Sequence, residues 1–411
     1  MLSKSAIYSI LSIIFKMLSG PLALMLIATG LTKIEQGVYF TFISLSSIQW
    51  IFELGITTCV VQFLGASREG KKRYYISFLI YFMLLSVVLL LLALMTLSKF
   101  LFENIAYEIW FLPWFIYSVL VCLNMFFGSF IVIEEGAGNV DKAYKVRFLS
   151  SVFYTLILMI SLYLDCKLFS LALAQFAMLV PAIVMLRSRF LSIQNYFTVS
   201  KKRLRLIFNE VISFQSKLSL VWIFGYLYWN SFSIIFFKYV SPEYAGEFGA
   251  INSIFSAIAA ISVALISTKR VPWGELNSLG LVAVSYSEFK RYLLFSLLIF
   301  LIFSMFFLGF MFTFPNLEIT HRFLPLDEVI VFAVLRLLIL LQEFSLLYLR
   351  TFKDEPLYII TSINYVTMPF FIILSLTLSK LLYVYILVSI IQFIFMVCYF
   401  LFLNSYVRKR I

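Results

Sequence analysis

Long apolar runs separated by short polar stretches dominate this chain from end to end. Twelve such runs are recognisable, at 5–29, 38–64, 74–98, 109–132, 146–164, 168–187, 211–237, 244–268, 290–314, 326–349, 357–378 and 382–404. Crossing about 30 Å of hydrocarbon as a helix takes roughly 20 apolar residues, and these runs are of that order. They are continuous rather than alternating, which predicts helices and not barrel strands. The run after Lys4 is too long for a cleavable signal and lacks a small-residue cleavage site, so it reads as the first spanning helix.

The stretch from Glu35 to Arg73 organises the rest. It opens on Glu35-Gln36-Gly37-Val38-Tyr39, passes through Phe52-Glu53-Leu54-Gly55-Ile56, and closes on Arg68-Glu69-Gly70-Lys71-Lys72-Arg73. The pattern predicts one membrane-length helix over 38–64 with an acid near its middle. Roughly two hundred residues later Glu243-Tyr244-Ala245-Gly246-Glu247-Phe248 again opens a long apolar run, which ends on Lys269-Arg270. A second echo pairs Asn139-Val140-Asp141-Lys142-Ala143-Tyr144 with Lys353-Asp354-Glu355-Pro356-Leu357-Tyr358. These repeats predict a six-helix unit written twice: a bundle at 1–187, a basic linker at 188–210, and a second bundle at 211–411. An even number of crossings per unit inserts both copies in the same sense. The expected fold is therefore all-α and integral to the membrane, with the bundles related by a pseudo-twofold axis along the membrane normal and the substrate path between them.

Composition agrees. The 411 residues are 63% hydrophobic and 13% charged, and no soluble domain could hide that much apolar surface. The net charge of +12 would suggest nucleic acid in a soluble protein, but here the loops explain it. Alternate loops carry twenty-three basic residues on one side against six on the other, so the positive-inside rule places both termini in the cytoplasm. Within the linker, Lys201-Lys202-Arg203-Leu204-Arg205 is suited to lie on anionic headgroups, or serves only as a topogenic charge cluster. Cys59, Cys122, Cys166 and Cys398 are scattered without metal or redox spacing, and His321 is the single histidine. Histidine-centred metal sites and Ser-His-Asp catalysis are thereby nearly excluded by inventory alone, and no cofactor is expected.

Ionised side chains at mid-bilayer cost about 2.5–3.5 kcal/mol on insertion scales, so they mark cavities or partners. Five qualify, set in from the ends of their runs: Lys16, Glu53, Lys217, Arg336 and Glu343. Ser5, Ser9, Ser12, Lys16 and Ser19 form one helical stripe, as befits a cavity wall, although serines alone would also suit helix packing. Glu53 lies on a line with Ser46, Gln49 and Thr57; it suits proton coupling or an ion pair with Lys16. Arg336 and Glu343 share a face, with Arg350 seven residues further on. Arg336 cannot readily lose its proton, which favours an anion ligand in a cavity over an internal pair. Lys217, about two turns from its helix end, can face the cavity or snorkel. Three cations against two acids describe a weakly cationic cavity for an anionic substrate, with phosphate or pyrophosphate the natural chemistry. Tyr226, Tyr228, Trp229 and Asn230 could stack on sugar rings or form an interfacial belt.

Gln36-Gly37-Val38-Tyr39, Phe52-Glu53-Leu54-Gly55-Ile56 and Phe63-Leu64-Gly65-Ala66 resemble the opening of polysaccharide flippases of the Wzx, O-antigen type. These belong to the superfamily of multidrug, oligosaccharidyl-lipid and polysaccharide exporters. The second copy at Ala245-Gly246-Glu247-Phe248 lacks an acid equivalent to Glu53. The resemblance implies a bacterial inner-membrane flippase, not an enzyme. It would move undecaprenyl-pyrophosphate-linked oligosaccharide repeat units to the periplasmic leaflet by alternating access. It also implies H+ or Na+ as coupling ion and other polysaccharide-assembly proteins as partners. On that basis Lys16, Arg336 and Lys217 would bind substrate, while Glu53 and Glu343 would carry the coupling ion or pair with the cations. A multidrug antiporter of the same superfamily is the alternative. Arg68-Glu69-Gly70-Lys71-Lys72 also resembles a major-facilitator loop, but Ser67 and Phe63 depart from that motif. A membrane enzyme such as an O-antigen polymerase would want larger outer loops than about 98–108 and 315–325, and a metal-dependent transferase would want an Asp-x-Asp, which is absent.

Overall fold

The computed structural model describes residues 4–66, 69–197, 199, 201–352, 356–376 and 381–410; for Lys16, Lys217 and several other helical residues it describes the backbone alone. The described chain is helical throughout and parts into two compact units, Met1–Gly246 and Glu247–Ile411. Unit 1 holds α1 (Lys4–Gly30), α2 (Lys33–Ser46), α3 (Gln49–Glu53), α4 (Ile56–Ala66), α5 (Glu69–Leu101), α6 (Tyr107–Gly136), α7 (Val140–Tyr163), α8 (Phe169–Met185), α9 (Arg187–Leu191), α10 (Gln194–Phe197), α11 (Lys201–Tyr239) and the first turn of α12 (Pro242–Ser278). Unit 2 holds the remainder of α12, then α13 (Val282–Thr313), α14 (Leu326–Leu349), α15 (Tyr358–Ser375) and α16 (Leu382–Arg408). Among the described residues, eight helices are long and apolar enough to cross a membrane, and Ser19–Gly30 and Phe169–Met185 are apolar but shorter. Along α13 only 17% of the most apolar window is buried, and Phe306 and Phe312 lie open. An apolar face of that extent requires lipid, not water, around it.

The single helix expected over 38–64 does not form. The segment is three pieces, α2, α3 and α4, broken at Ser47–Ile48 and again at Leu54–Gly55. At the second break Leu54 (φ 52°) and Gly55 (φ 68°) both take the left-handed conformation. The glycine tolerates it and ends the helix. At the first, the hydroxyls of Ser46 and Ser47 both donate to the Ile43 carbonyl, at 2.9 and 2.8 Å, a back-bond that competes with the helical ladder. α2 itself starts on a capping box, with Thr32 accepting from the Glu35 amide at 3.2 Å and Glu35 from the Thr32 amide at 2.9 Å.

Gln36-Gly37 and Ala245-Gly246, the paired openings of the sequence echo, meet within unit 1. A Cβ on Gly37 would stand 1.9 Å from the Pro242 carbonyl oxygen, and one on Gly246 would stand 2.7 Å from the Gly37 nitrogen. Gln36 Nε2 donates to the Gly246 carbonyl at 3.0 Å across the same crossing. Small residues here let two backbones touch, the usual device for close helix contact in lipid.

The polar connection at 188–210 is mostly helical. α9 and α10 occupy its first half, and α11 begins at Lys201, several turns before the apolar run that predicted it. Arg203 lies over the Tyr74 ring at 5.0 Å, Phe208 packs edge-on to Phe78, and Lys71 reaches Glu210 at 3.9 Å. These contacts dock the start of α11 on the start of α5.

Candidate functional site

Two adjoining cavities open inside unit 1. The larger, about 660 Å³, is walled by α1, α6, α7 and α8; the smaller, about 280 Å³, lies among α3, α4, α5, α6 and α8. Asn124, Gly128, Gln175 and Met178 line both. Gln49, Glu53 and Thr57, which the sequence set on one line, do share the smaller cavity, and the Thr57 hydroxyl donates to the Glu53 carboxylate. The helix break just after Glu53 therefore leaves the line intact. Ser46, the fourth of the set, is buried and bonds Tyr117 at 3.0 Å instead. In the larger cavity Ser19 of the α1 stripe is present, beside Arg147 and Tyr154. Ser150 and Ser151 also line it, buried, with hydroxyls that find no hydrogen-bond partner among the described residues. Such groups are normally satisfied by water or ligand.

Polar side chains at the ends of unit 1 are organised by acids. Glu134, fully buried at the end of α6, accepts from Asn139 Nδ2 (2.6 Å), Lys142 Nζ (3.3 Å) and Arg189 Nε (3.0 Å). The hydrogen bond to Glu134 raises the Arg189 pKa further. Glu135 pairs with Arg147, which also lies over the Tyr144 ring at 5.2 Å. At the opposite ends of the helices Glu35 meets Lys167 at 3.3 Å and Lys238 pairs with Glu103. Burial pushes the Glu35 carboxyl up, but the Thr32 amide and hydroxyl and Lys167 outweigh it and hold it below the usual carboxylate range.

Unit 2 holds Arg336 and Glu343 on α14. Arg336 is buried and donates through Nη2 to Ser256 Oγ of α12 at 3.3 Å; Glu343 lies in the field of Arg336 and Arg350. The side chains of Lys16 and Lys217 lie outside the described residues. Sequence reasoning missed what lies beside Glu343. Gln342, Asn364 and Gln392, from α14, α15 and α16, close a buried ring: Gln342 Nε2 donates to Gln392 Oε1 (3.0 Å), Gln392 Nε2 to Asn364 Oδ1 (2.9 Å), and Asn364 Nδ2 to Gln342 Oε1 (2.8 Å). Gln342 also donates to the Gln392 carbonyl at 3.0 Å. Unit 1 carries the same two-point bond from α6 to α8, where Asn124 Nδ2 donates to Gln175 O (3.0 Å) and Oε1 (2.7 Å). There the amides border the cavities. A search restricted to charges could not find them; uncharged amides inside apolar runs were the available signal.

No family model and no curated protein matches this chain. Solved structures do. An inward-facing multidrug resistance transporter of the MATE family, in the MOP superfamily, matches with a TM-score of 0.68 at 13% identity, covering 96% of this chain and 95% of its own. An outward-facing structure of such a transporter gives 0.60 at 14%, over 99% and 96%. A MOP-superfamily transporter from Pyrococcus furiosus, described as having a binding pocket of reverse polarity that suggests a different function, gives 0.58 at 12%, over 99% and 95%. The chain is an all-helical membrane protein with the fold of these transporters.

Proposed function

We propose that this chain is a MOP-type transporter that moves an undecaprenyl-pyrophosphate-linked oligosaccharide from the cytoplasmic to the periplasmic leaflet of a bacterial inner membrane by alternating access. The observation that carries the transporter reading is the likeness to MOP-superfamily transporters over 96% of the chain. The proposal takes twelve crossings, with α2–α4 together making one and α1, α8 and α11 three more beside the eight long apolar helices. Both termini are cytoplasmic, and the bundles are 1–187 and 211–411 joined by the linker 188–210. Basic residues at membrane depth support an anionic cargo: Arg336 is buried against Ser256, and Lys16 and Lys217 fall inside apolar runs. Lys16, Arg336 and Lys217 bind the pyrophosphate in this proposal. Glu53, in a cavity with hydroxyl and amide neighbours, carries the coupling ion, and Glu343 balances Arg336. The reverse pocket polarity described for the Pyrococcus furiosus transporter is a precedent for this fold carrying pockets of different polarity.

A multidrug antiporter is the second reading, favoured by the multidrug transporters among the structural neighbours. A chromosomal deletion complemented with the native chain or with Lys16→Ala, at matched protein levels, separates the two. The flippase reading expects loss of surface polysaccharide and accumulation of single lipid-linked units on deletion, with at least tenfold poorer restoration by Lys16→Ala than by the native chain. Unchanged polymer with raised drug sensitivity overturns it in favour of the antiporter.

A further inference from the structure

On the face of unit 1 that carries the basic loops lies a pocket of about 580 Å³, walled by Lys72, Arg73 and Ile76 of α5, Ala137 and Asn139 of the α6–α7 turn, Arg189 of α9 and Tyr196 of α10. Three basic residues line it, from two helices far apart in sequence, and no carboxylate is among its described lining residues. The walls are fixed. Arg189 is held through Nε by Glu134 Oε1 at 3.0 Å, and that carboxylate is only 2% exposed. Asn139 is held by the other oxygen of the same carboxylate at 2.6 Å. The linker side is pinned to α5 where Tyr81 donates to the Phe197 carbonyl at 3.3 Å and the two rings pack edge-on.

A guanidinium offers five N–H donors in a rigid fork. Anchoring one edge on a buried acid therefore orients the rest at no further entropic cost when a ligand arrives. A charge cluster that only set topology would need neither a pocket nor a buried carboxylate to aim it. Arg189 is already balanced by Glu134, so it is the remaining N–H donors of its oriented fork, and not a surplus of charge, that suit a phosphate group with its several acceptor oxygens. Ile76 beside the charges makes the wall amphipathic, as suits headgroup depth.

We propose that this pocket is a docking subsite for a phosphate-rich group, such as a diphosphate, at the basic face of the membrane. The inference deepens the transporter reading and rests on it for the lipid anchor of the ligand. The test uses the full chain in nanodiscs of zwitterionic lipid at about 150 mM salt, with radiolabelled inorganic pyrophosphate as probe. Saturable binding is expected, at least tenfold weaker in Lys72→Gln/Arg73→Gln and unchanged in Arg408→Gln/Lys409→Gln, which removes equal charge from the end of α16. Arg189→Lys keeps the charge but loses the fork and is expected to bind severalfold more weakly. Absence of saturable binding, or equal loss in both double variants, overturns the proposal. If the Lys72/Arg73 variant does not fold, unaltered binding by Arg189→Lys overturns it alone. Nanodiscs doped with a diphosphate-headed polyprenyl lipid distinguish the source: displacement of the label assigns the pocket to a membrane-borne headgroup, and persistence assigns it to soluble phosphate. Binding is read without transport. A protein that binds but moves no lipid-linked substrate sinks the transport reading only, and one that transports without binding sinks the subsite only.

Discussion

Glu35 shows how much one side chain can be asked to do in this fold. It closes the capping box of α2 and faces Lys167 at 3.3 Å across to the α7–α8 turn. Its carboxyl titrates below the usual range in the folded protein, so its contribution is fully present above the unfolded pKa and is lost as pH falls through the lower folded one. Glu35→Gln is accordingly expected to lower the thermal midpoint of the detergent-solubilised protein at pH 7, with the gap to the native protein closing as pH falls through and below the ordinary carboxylate range. A constant gap at every pH would show that the loss is steric. Thr32→Ala, which removes the cap hydroxyl, is expected to cost about 1 kcal/mol. Single charges of this kind were partly legible. Glu53, Gln49 and Thr57 share the smaller cavity as their spacing suggests, although Thr57 stands on α4, beyond the break at Leu54–Gly55. The Glu134 cluster was not legible, since Arg189 is distant in sequence and only the fold brings it back.

Among the elements, α2 and the first turn of α12 cross with backbone close to backbone at Gly37 and Gly246. Gly37→Ala puts a methyl 1.9 Å from a backbone oxygen, which cannot move aside as a flexible side chain would. Overpacking of this kind costs about 1–3 kcal/mol or more, so a several-fold loss of folded, monodisperse protein is expected in fluorescence size-exclusion profiles. Gly20→Ala, where nothing stands within 4 Å of the new Cβ, should leave the profile unchanged. Normal yield from Gly37→Ala would mean the two helices can separate freely. The sequence echo located these glycines but took them as marks of duplication; that they touch is a fact about three dimensions. The broken segment 38–64 was misread for a related reason. Its hydropathy is that of a spanning helix, and nothing in an apolar average registers two consecutive residues with positive φ.

At the scale of the molecule, hydropathy and loop charge were enough to recognise a helical membrane protein, because lipid admits few alternatives. The compact units part between Gly246 and Glu247, inside α12, a position that no composition shift marks. Function enters here as well, since a coupling ion matters only to a full transport cycle. Among the described residues, Glu53 is the single acid lining the smaller cavity. On the proposed transporter reading, Glu53→Gln in proteoliposomes is expected to abolish the dependence of transport on an imposed H+ or Na+ gradient, leaving at most about a tenth of the driven rate. Full gradient response in the variant would move the coupling role elsewhere.

The ring of Gln342, Asn364 and Gln392 bears on how the protein is made. Each amide is satisfied by the other two, and each comes from a different helix. As the chain leaves the insertion machinery, α14 and α15 enter the bilayer before α16 exists to complete the ring. Until then their amides must keep water, a chaperone or one another for company. Of the three helices α16 is made latest, so its packing is the event that lets the amides of α14 and α15 exchange those substitutes for the ring.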